Sequence, residues 1–249
     1  MKKFNYENTN YLKKLDALPD TFYSKYVHFL ERYSKKRKSK ILDVGCGTGS
    51  VLSKLGKMGF LDLSGVDVSK TFITRAKASG IRKSYVYDGL NLPFKDNYFD
   101  VIGSFNVLEH TQEPEEFLEK QILKLKRNGY LIVACPNFYT PILKTNHRRI
   151  HGLKNRLTNL MRIFYTLLIS SSFSFERIPP VVKKKFEYDD DSIVVTNPIV
   201  LKNILLKNKC KIIYESGFIN QDSMVSHLID RLTPLRYMMP SCFMVAQKK

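Results

Sequence analysis

The residues best suited to chemistry in this 249-residue sequence lie in one short stretch, Asp43-Val44-Gly45-Cys46-Gly47-Thr48-Gly49. Glycines at alternate positions let a backbone bend sharply and approach a ligand closely, because no Cβ stands in the way. The spacing is G-x-G-x-G, whereas a dinucleotide-binding turn uses G-x-G-x-x-G. Asp43, two residues before the first glycine, would repel a pyrophosphate and suits an ammonium group or the hydroxyls of a neutral ligand. The four cysteines, Cys46, Cys135, Cys210 and Cys242, lie far apart with no C-x-x-C pair. That spacing suggests neither a zinc knuckle nor a disulfide framework, and buried free thiols are expected.

Such a turn needs a frame. Residues 40–44 form a short apolar run ending in the glycines, the pattern of a buried parallel strand. Beyond it, helices are predicted over 51–58, 70–79, 113–126 (capped around Gly129) and 199–208. Strands are predicted over 61–66, 83–87, 99–105, 130–135, 211–216 and 241–246. This alternation predicts an α/β fold, a Rossmann-like doubly wound sheet that is mostly parallel with a C-terminal antiparallel strand. Ahead of it, apolar residues spaced by three and four over 4–38, interrupted by Pro19, read as two helices. The expected organisation is N-terminal helices over 1–39, then one domain over 40–249 carrying a helical insertion at about 137–196, where the alternation breaks.

The run Ile41-Leu42-Asp43-Val44-Gly45-Cys46-Gly47-Thr48-Gly49 resembles the first motif of the class I S-adenosylmethionine-dependent methyltransferases. Further elements follow in that family's order. Asp67, in Gly65-Val66-Asp67-Val68-Ser69, falls where the family places an acid that accepts both ribose hydroxyls, and two carboxylate oxygens match a vicinal diol. Asp88, followed by Gly89, falls where the family holds the adenine amino group. Phe99-Asp100-Val101-Ile102 and then Asn106-Val107-Leu108-Glu109-His110 match the fourth strand and its exit. The resemblance covers about 38–137 well and 192–249 loosely. It implies S-adenosyl-L-methionine as cofactor, held by Asp43, Gly45, Cys46, Gly47, Gly49, Asp67, Val68, Asp88, Gly89 and Asn106.

In that family the exit of the fourth strand lies beside the cofactor's methionine, which puts Glu109 and His110 near the reaction as catalytic candidates. Methyl transfer requires alignment of a nucleophile and, where needed, removal of its proton. Histidine titrates near neutrality, so His110 is the candidate base; capping or packing at a helix start is the alternative. The same segment resembles ubiquinone-pathway O-methyltransferases, with Asn106 where metal-binding relatives carry an acid, so no metal is expected. Neither the N/D-P-P-Y/F motif of nucleobase amino-methylation nor a suitably placed Pro-Cys nucleophile is present. The expected activity is therefore O-methylation of a sugar, lipid-linked or other small-molecule hydroxyl, with an RNA methyltransferase as the alternative.

The formal net charge is +18. Residues 1–40 hold eleven Lys/Arg against four acids and residues 144–185 ten against one, while the remaining stretches are nearly neutral. Leu157, Leu160, Phe164, Leu167 and Leu168 share a helical face within the second segment, with Lys154, Arg156 and Arg162 interspersed. Arg148-Arg149 and Lys183-Lys184-Lys185 flank it. Three readings are open: a lid packed on the core, peripheral contact with an anionic membrane, or nucleic-acid binding. The segment also resembles the insertions of methyltransferases associated with surface polysaccharides and lipid-linked sugars, which implies a glycan or lipid-linked acceptor. No window matches a signal core or a membrane span, so the expectation is a cytoplasmic protein, with peripheral contact at the inner membrane surface left open.

Overall fold

A computed structural model describes residues 7, 18–141, 153–168, 173–179, 191–219 and 224–249. Its centre is a seven-stranded sheet of β1 (Lys40–Val44), β2 (Asp62–Asp67), β3 (Ser84–Val86), β4 (Phe99–Phe105), β5 (Leu125–Pro136), β8 (Cys210–Ser216) and β9 (Ser241–Lys248). The order across the sheet is β3-β2-β1-β4-β5-β9-β8. Neighbours from β3 to β5 pair in parallel, and β9 runs antiparallel to both β5 and β8. The expected doubly wound α/β architecture is thus observed.

Helices cover both faces. On one, α1 (Ser24–Tyr33) and α2 (Ser50–Lys57) bury Tyr26, Phe29, Leu30 and Leu55 against Ile41, Val101, Ile132 and Phe243. On the other, α4 (Pro114–Lys124) and α6 (Pro198–Lys207) bury Phe117, Leu118, Leu201 and Leu205 against Leu42, Ile102, Leu131 and Met244. The alternation of side chains along each strand feeds these two apolar layers separately. Helix α3 (Lys70–Ala78) lies beside β2 and β3, its N-terminus capped by Ser69, whose Oγ accepts from Phe72 N at 3.2 Å.

Several expectations need correction. The helix read to Lys126 and capped at Gly129 ends at Lys124, because Leu125 is already extended and pairs with Phe99. The register then jumps to Val101↔Tyr130, and left-handed Asn128 (φ 62°) belongs to that irregularity within β5. At the N-terminus a short 3-10 turn (Asp20–Tyr23) leads into α1, and most of the earlier predicted helix lies outside the described residues. Helices α7 (Met224–Arg231) and α8 (Thr233–Met238), between β8 and β9, went unread.

The insertion contributes α5 (Leu153–Leu168) and a two-stranded antiparallel ribbon of β6 (Glu176–Arg177) and β7 (Val194–Val195). The periodic apolar face of its helix is turned outward. Ile163 packs with Ile199 and Tyr237, and Asn159 Nδ2 donates to Phe138 O at 3.2 Å, whereas Leu157, Phe164 and Leu168 are exposed. A period identifies a face without saying which way it points. Arg148, Arg149 and Lys183 to Lys185 lie outside the described residues. Among the described residues no helix is long and apolar enough to cross a membrane.

Candidate active site

Where β1 ends, the chain folds back over β2: the amides of Gly45 and Cys46 both donate to Val66 O, at 2.8 and 3.0 Å. Gly45, Gly47 and Gly49 all have positive φ. Gly45 also needs its missing side chain, since a Cβ there would lie 2.3 Å from Val107 Cγ2. This contact seats the glycine turn directly on the exit of β4. At Gly47 a Cβ would meet nothing within 4 Å, so the turn presents bare backbone to open space.

Two buried carboxylates underlie the turn. Asp67, at the end of β2, accepts from Gly47 N through Oδ2 and from Ser69 N through Oδ1, both at 2.9 Å. Burial raises its pKa against those amide bonds. Lone pairs on both oxygens remain for further donors. Asp43 is raised further, to about 7, chiefly by burial and also by the charge of Asp67, while a hydrogen bond from Tyr26 pulls the other way. Tyr26 Oη donates to Asp43 Oδ1 at 2.8 Å from helix α1, passing across Gly103 of β4. Any Cβ at Gly103 would lie 2.1 Å from that phenol oxygen.

The other cofactor candidates surround this centre. Cys46 points its thiol inward towards Gly65 and Leu52, leaving only its main chain for a ligand, and burial raises its pKa. Val68 is exposed beside Gly89, whose added Cβ would meet Val68 Cγ1 at 3.6 Å. Exposed Asp88 forms a tight turn, accepting from Leu90 N, Asn91 N and Asn91 Nδ2 at 2.9, 2.6 and 2.7 Å. The Asn91 side-chain bond leads the causes that lower its pKa. Asn106 adopts φ 53°, and its buried Oδ1 has no hydrogen-bond partner, an acceptor held towards the β4 exit.

Beyond Asn106, a single 3-10 turn (Leu108–His110) carries both catalytic candidates. Glu109 is fully buried, and Glu109 Oε1 lies 3.6 Å from His110 Nε2. The partly exposed imidazole also has Asp191 Oδ2 3.4 Å from Nδ1. Asp191 arrives on the return of the insertion, which Ile193 N secures by donating to Glu109 O at 2.9 Å.

Asp191, Tyr26 and Gly103 were absent from the sequence-derived site. So was Glu7, whose carboxylate accepts from Lys70 N at 2.8 Å and from Thr71, closing the start of α3 near Asp67. Among the described residues no group of three His, Cys, Asp or Glu side chains forms a metal site, and all four cysteines are buried and free.

The residues present fit a ligand such as S-adenosylmethionine, which carries an ammonium, vicinal ribose hydroxyls and a sulfonium. The bare backbone at Gly47, the two acids and the partnerless Asn106 oxygen are what such a ligand requires.

Comparison with known proteins agrees. A family profile described as a methyltransferase domain matches residues 42–133. Norajmaline N-methyltransferase of Rauvolfia serpentina is 29% identical over 133 residues, 51% of this chain and 42% of that one. A ubiquinone biosynthesis O-methyltransferase of Rickettsia felis is 29% identical over 109 residues, 42% of this chain and 44% of the relative. The chain thus spans less than half the length of either enzyme. An S-adenosylmethionine-dependent methyltransferase of Mesorhizobium loti shares the fold, with a TM-score of 0.60, 14% identity, and coverage of 94% of this chain and 100% of that one. Profile, strand order and glycine turn coincide over residues 42–133, which match a methyltransferase domain on the fold that S-adenosylmethionine-dependent methyltransferases share.

Proposed function

We propose that the protein transfers a methyl group to the hydroxyl of a small acceptor, of the sugar or lipid-linked kind, with His110 as general base. The observation that carries this reading is the placement of His110 between two carboxylates on the turn leaving β4, against the glycine turn through the Val107–Gly45 contact. The relatives include a ubiquinone biosynthesis O-methyltransferase as well as a norajmaline N-methyltransferase. A base is needed for a hydroxyl acceptor and is superfluous for an unprotonated amine.

S-adenosylmethionine supplies an electrophilic methyl group activated by its sulfonium. Asp67 would hold the ribose hydroxyls and Asp88 the adenine edge. Asp43 and Asn106 Oδ1 suit its ammonium. Asp191 beside Nδ1 favours the tautomer with its proton there, leaving Nε2 as the proton acceptor. Glu109, buried beside that nitrogen, offsets the charge the ring gains on taking a proton. Among the described residues no cluster is assigned to a metal, and chelator-treated enzyme should retain its activity.

The test is incubation of the purified protein with methyl-labelled cofactor and separate pools of polar glycans, lipid extracts, amines and RNA. Labelled methyl ethers in the glycan or lipid pools support the assignment. Label confined to amines or RNA overturns it.

A further inference from the structure

Helix α5 presents an apolar stripe to the exterior. Leu157, Met161, Phe164, Tyr165 and Leu168 are all exposed, Leu168 to 79% and Leu157 to 63%. At 3.6 residues per turn these five positions fall within an arc of about 100°. The buried residues Asn159 and Ile163 lie opposite, on the side that joins the protein. The helix is therefore already anchored by one face, and the five large side chains belong to the face left over. Burial of such side chains is favourable, and a contiguous exposed apolar stripe marks an interaction surface.

Charge identifies the occupant. Helix α5 contains Lys154, Arg156 and Arg162 and no acid, within a segment of ten Lys/Arg against one acid over 144–185. Exposed Arg156 flanks the stripe on one side, whereas Arg162 on the other turns to the protein, facing Glu176 at 3.5 Å and the Tyr139 ring at 5.6 Å. A second copy of this helix would bring like charges together. Nucleic acid would satisfy the arginines but leave five large apolar side chains without an apolar partner. An interface with anionic headgroups above acyl chains satisfies both at once. The sixteen-residue helix would lie along that interface rather than through it.

Helix α8 extends the surface, since it packs against both α5 and α7, and α7 carries a second exposed apolar set of Met224, Val225 and Leu228. The anchoring bond of Asn159 goes to Phe138, two residues beyond the end of β5. The stripe therefore belongs to the edge of the sheet where the parallel strands end, the edge that also carries the glycine turn and His110.

We infer that α5, supported by α7, is a docking surface for an anionic lipid bilayer, on which the protein rests with Arg156 at the headgroups. This inference is independent of the acceptor proposed above, because a docked enzyme can methylate a soluble or a lipid-linked hydroxyl.

Vesicle flotation tests it, using phosphatidylcholine alone and phosphatidylcholine with about 30 mol % phosphatidylglycerol. The wild-type protein is expected to float with the anionic vesicles and not with the neutral ones. The triple variant Leu157→Ser, Phe164→Ser, Leu168→Ser should lose at least roughly tenfold in partitioning, and Arg156→Gln about fivefold. All these side chains are exposed, so the melting temperature and cofactor affinity should not change. Should the triple variant fail to fold, Leu168→Ser alone and Arg156→Gln decide the matter. No flotation, equal flotation on both vesicles, or variants that float like wild type overturn the inference. So does a wild-type dimer that the stripe variant dissolves, or salt-sensitive RNA binding, without vesicle binding.

Discussion

Replacing Asp43 by Asn should stabilise the protein while impairing it. Burial raises the Asp43 carboxyl from 3.8 to about 7. A carboxyl with a folded value above its unfolded one binds its proton more tightly in the native state. Its contribution to stability is full below about pH 4 and is lost as pH rises through 7. At 1.36 kcal/mol per unit, the buried charge costs about 4 kcal/mol at pH 8 and about 1.5 kcal/mol at pH 5. Asn is nearly isosteric and can still accept from Tyr26, so D43N removes the cost without opening a cavity. Its advantage over wild type should grow by about 2 to 3 kcal/mol between pH 5 and pH 8. For a chain of this length that is a relative gain of roughly 5–10 °C in melting temperature. Ligand-free protein melted across this pH range provides the assay, with titration calorimetry of S-adenosylmethionine alongside. Cofactor affinity at pH 8 should fall about 10- to 100-fold with loss of the anion proposed to meet the ligand's ammonium. A melting difference independent of pH, or a D43N protein less stable than wild type at pH 8, would refute the argument.

Asp67→Ala should abolish the rise in melting temperature that S-adenosylmethionine produces in the wild-type protein; an undiminished rise would remove Asp67 from the ribose. His110→Ala should lower kcat by about 10²- to 10⁴-fold with cofactor affinity kept within about threefold, since the imidazole is assigned to proton transfer rather than to holding the ligand. Gly45→Ala pushes a methyl group against Val107 Cγ2 in a left-handed conformation. It should cost about 2 kcal/mol or more in urea unfolding and weaken cofactor binding, whereas Val107→Ala in the same background should restore part of both.

The glycine turn and Asp67 were legible because the signal is local: a strand, a spacing of three glycines, and an acid at the end of the next strand. The pairing of Tyr26 with Asp43 was not, although Tyr26 stood in the apolar periodicity of its helix. Its reach depends on Gly103, whose lack of a side chain has no meaning until α1 lies across β4. Asp191 was equally hidden, since only the return of the insertion brings it within 3.4 Å of His110. Asn128-Gly129 gave a true turn signal that was assigned to the wrong element: a left-handed residue serves a strand irregularity as well as a helix end. Helix α5 displayed the right period, but its anchoring face holds Asn159, a polar residue that no hydrophobic pattern selects.

The phenol of Tyr26 passing over Gly103 ties two positions 77 residues apart into a single heritable character. A lineage cannot acquire a side chain at position 103 while keeping a tyrosine at 26, and losing the tyrosine first takes from Asp43 its hydroxyl donor. Related sequences should therefore fall into two groups, glycine with tyrosine or a larger residue with a smaller partner, with few intermediates between them. Grafting this glycine turn onto another scaffold would succeed only if the helix preceding the first strand were moved with it.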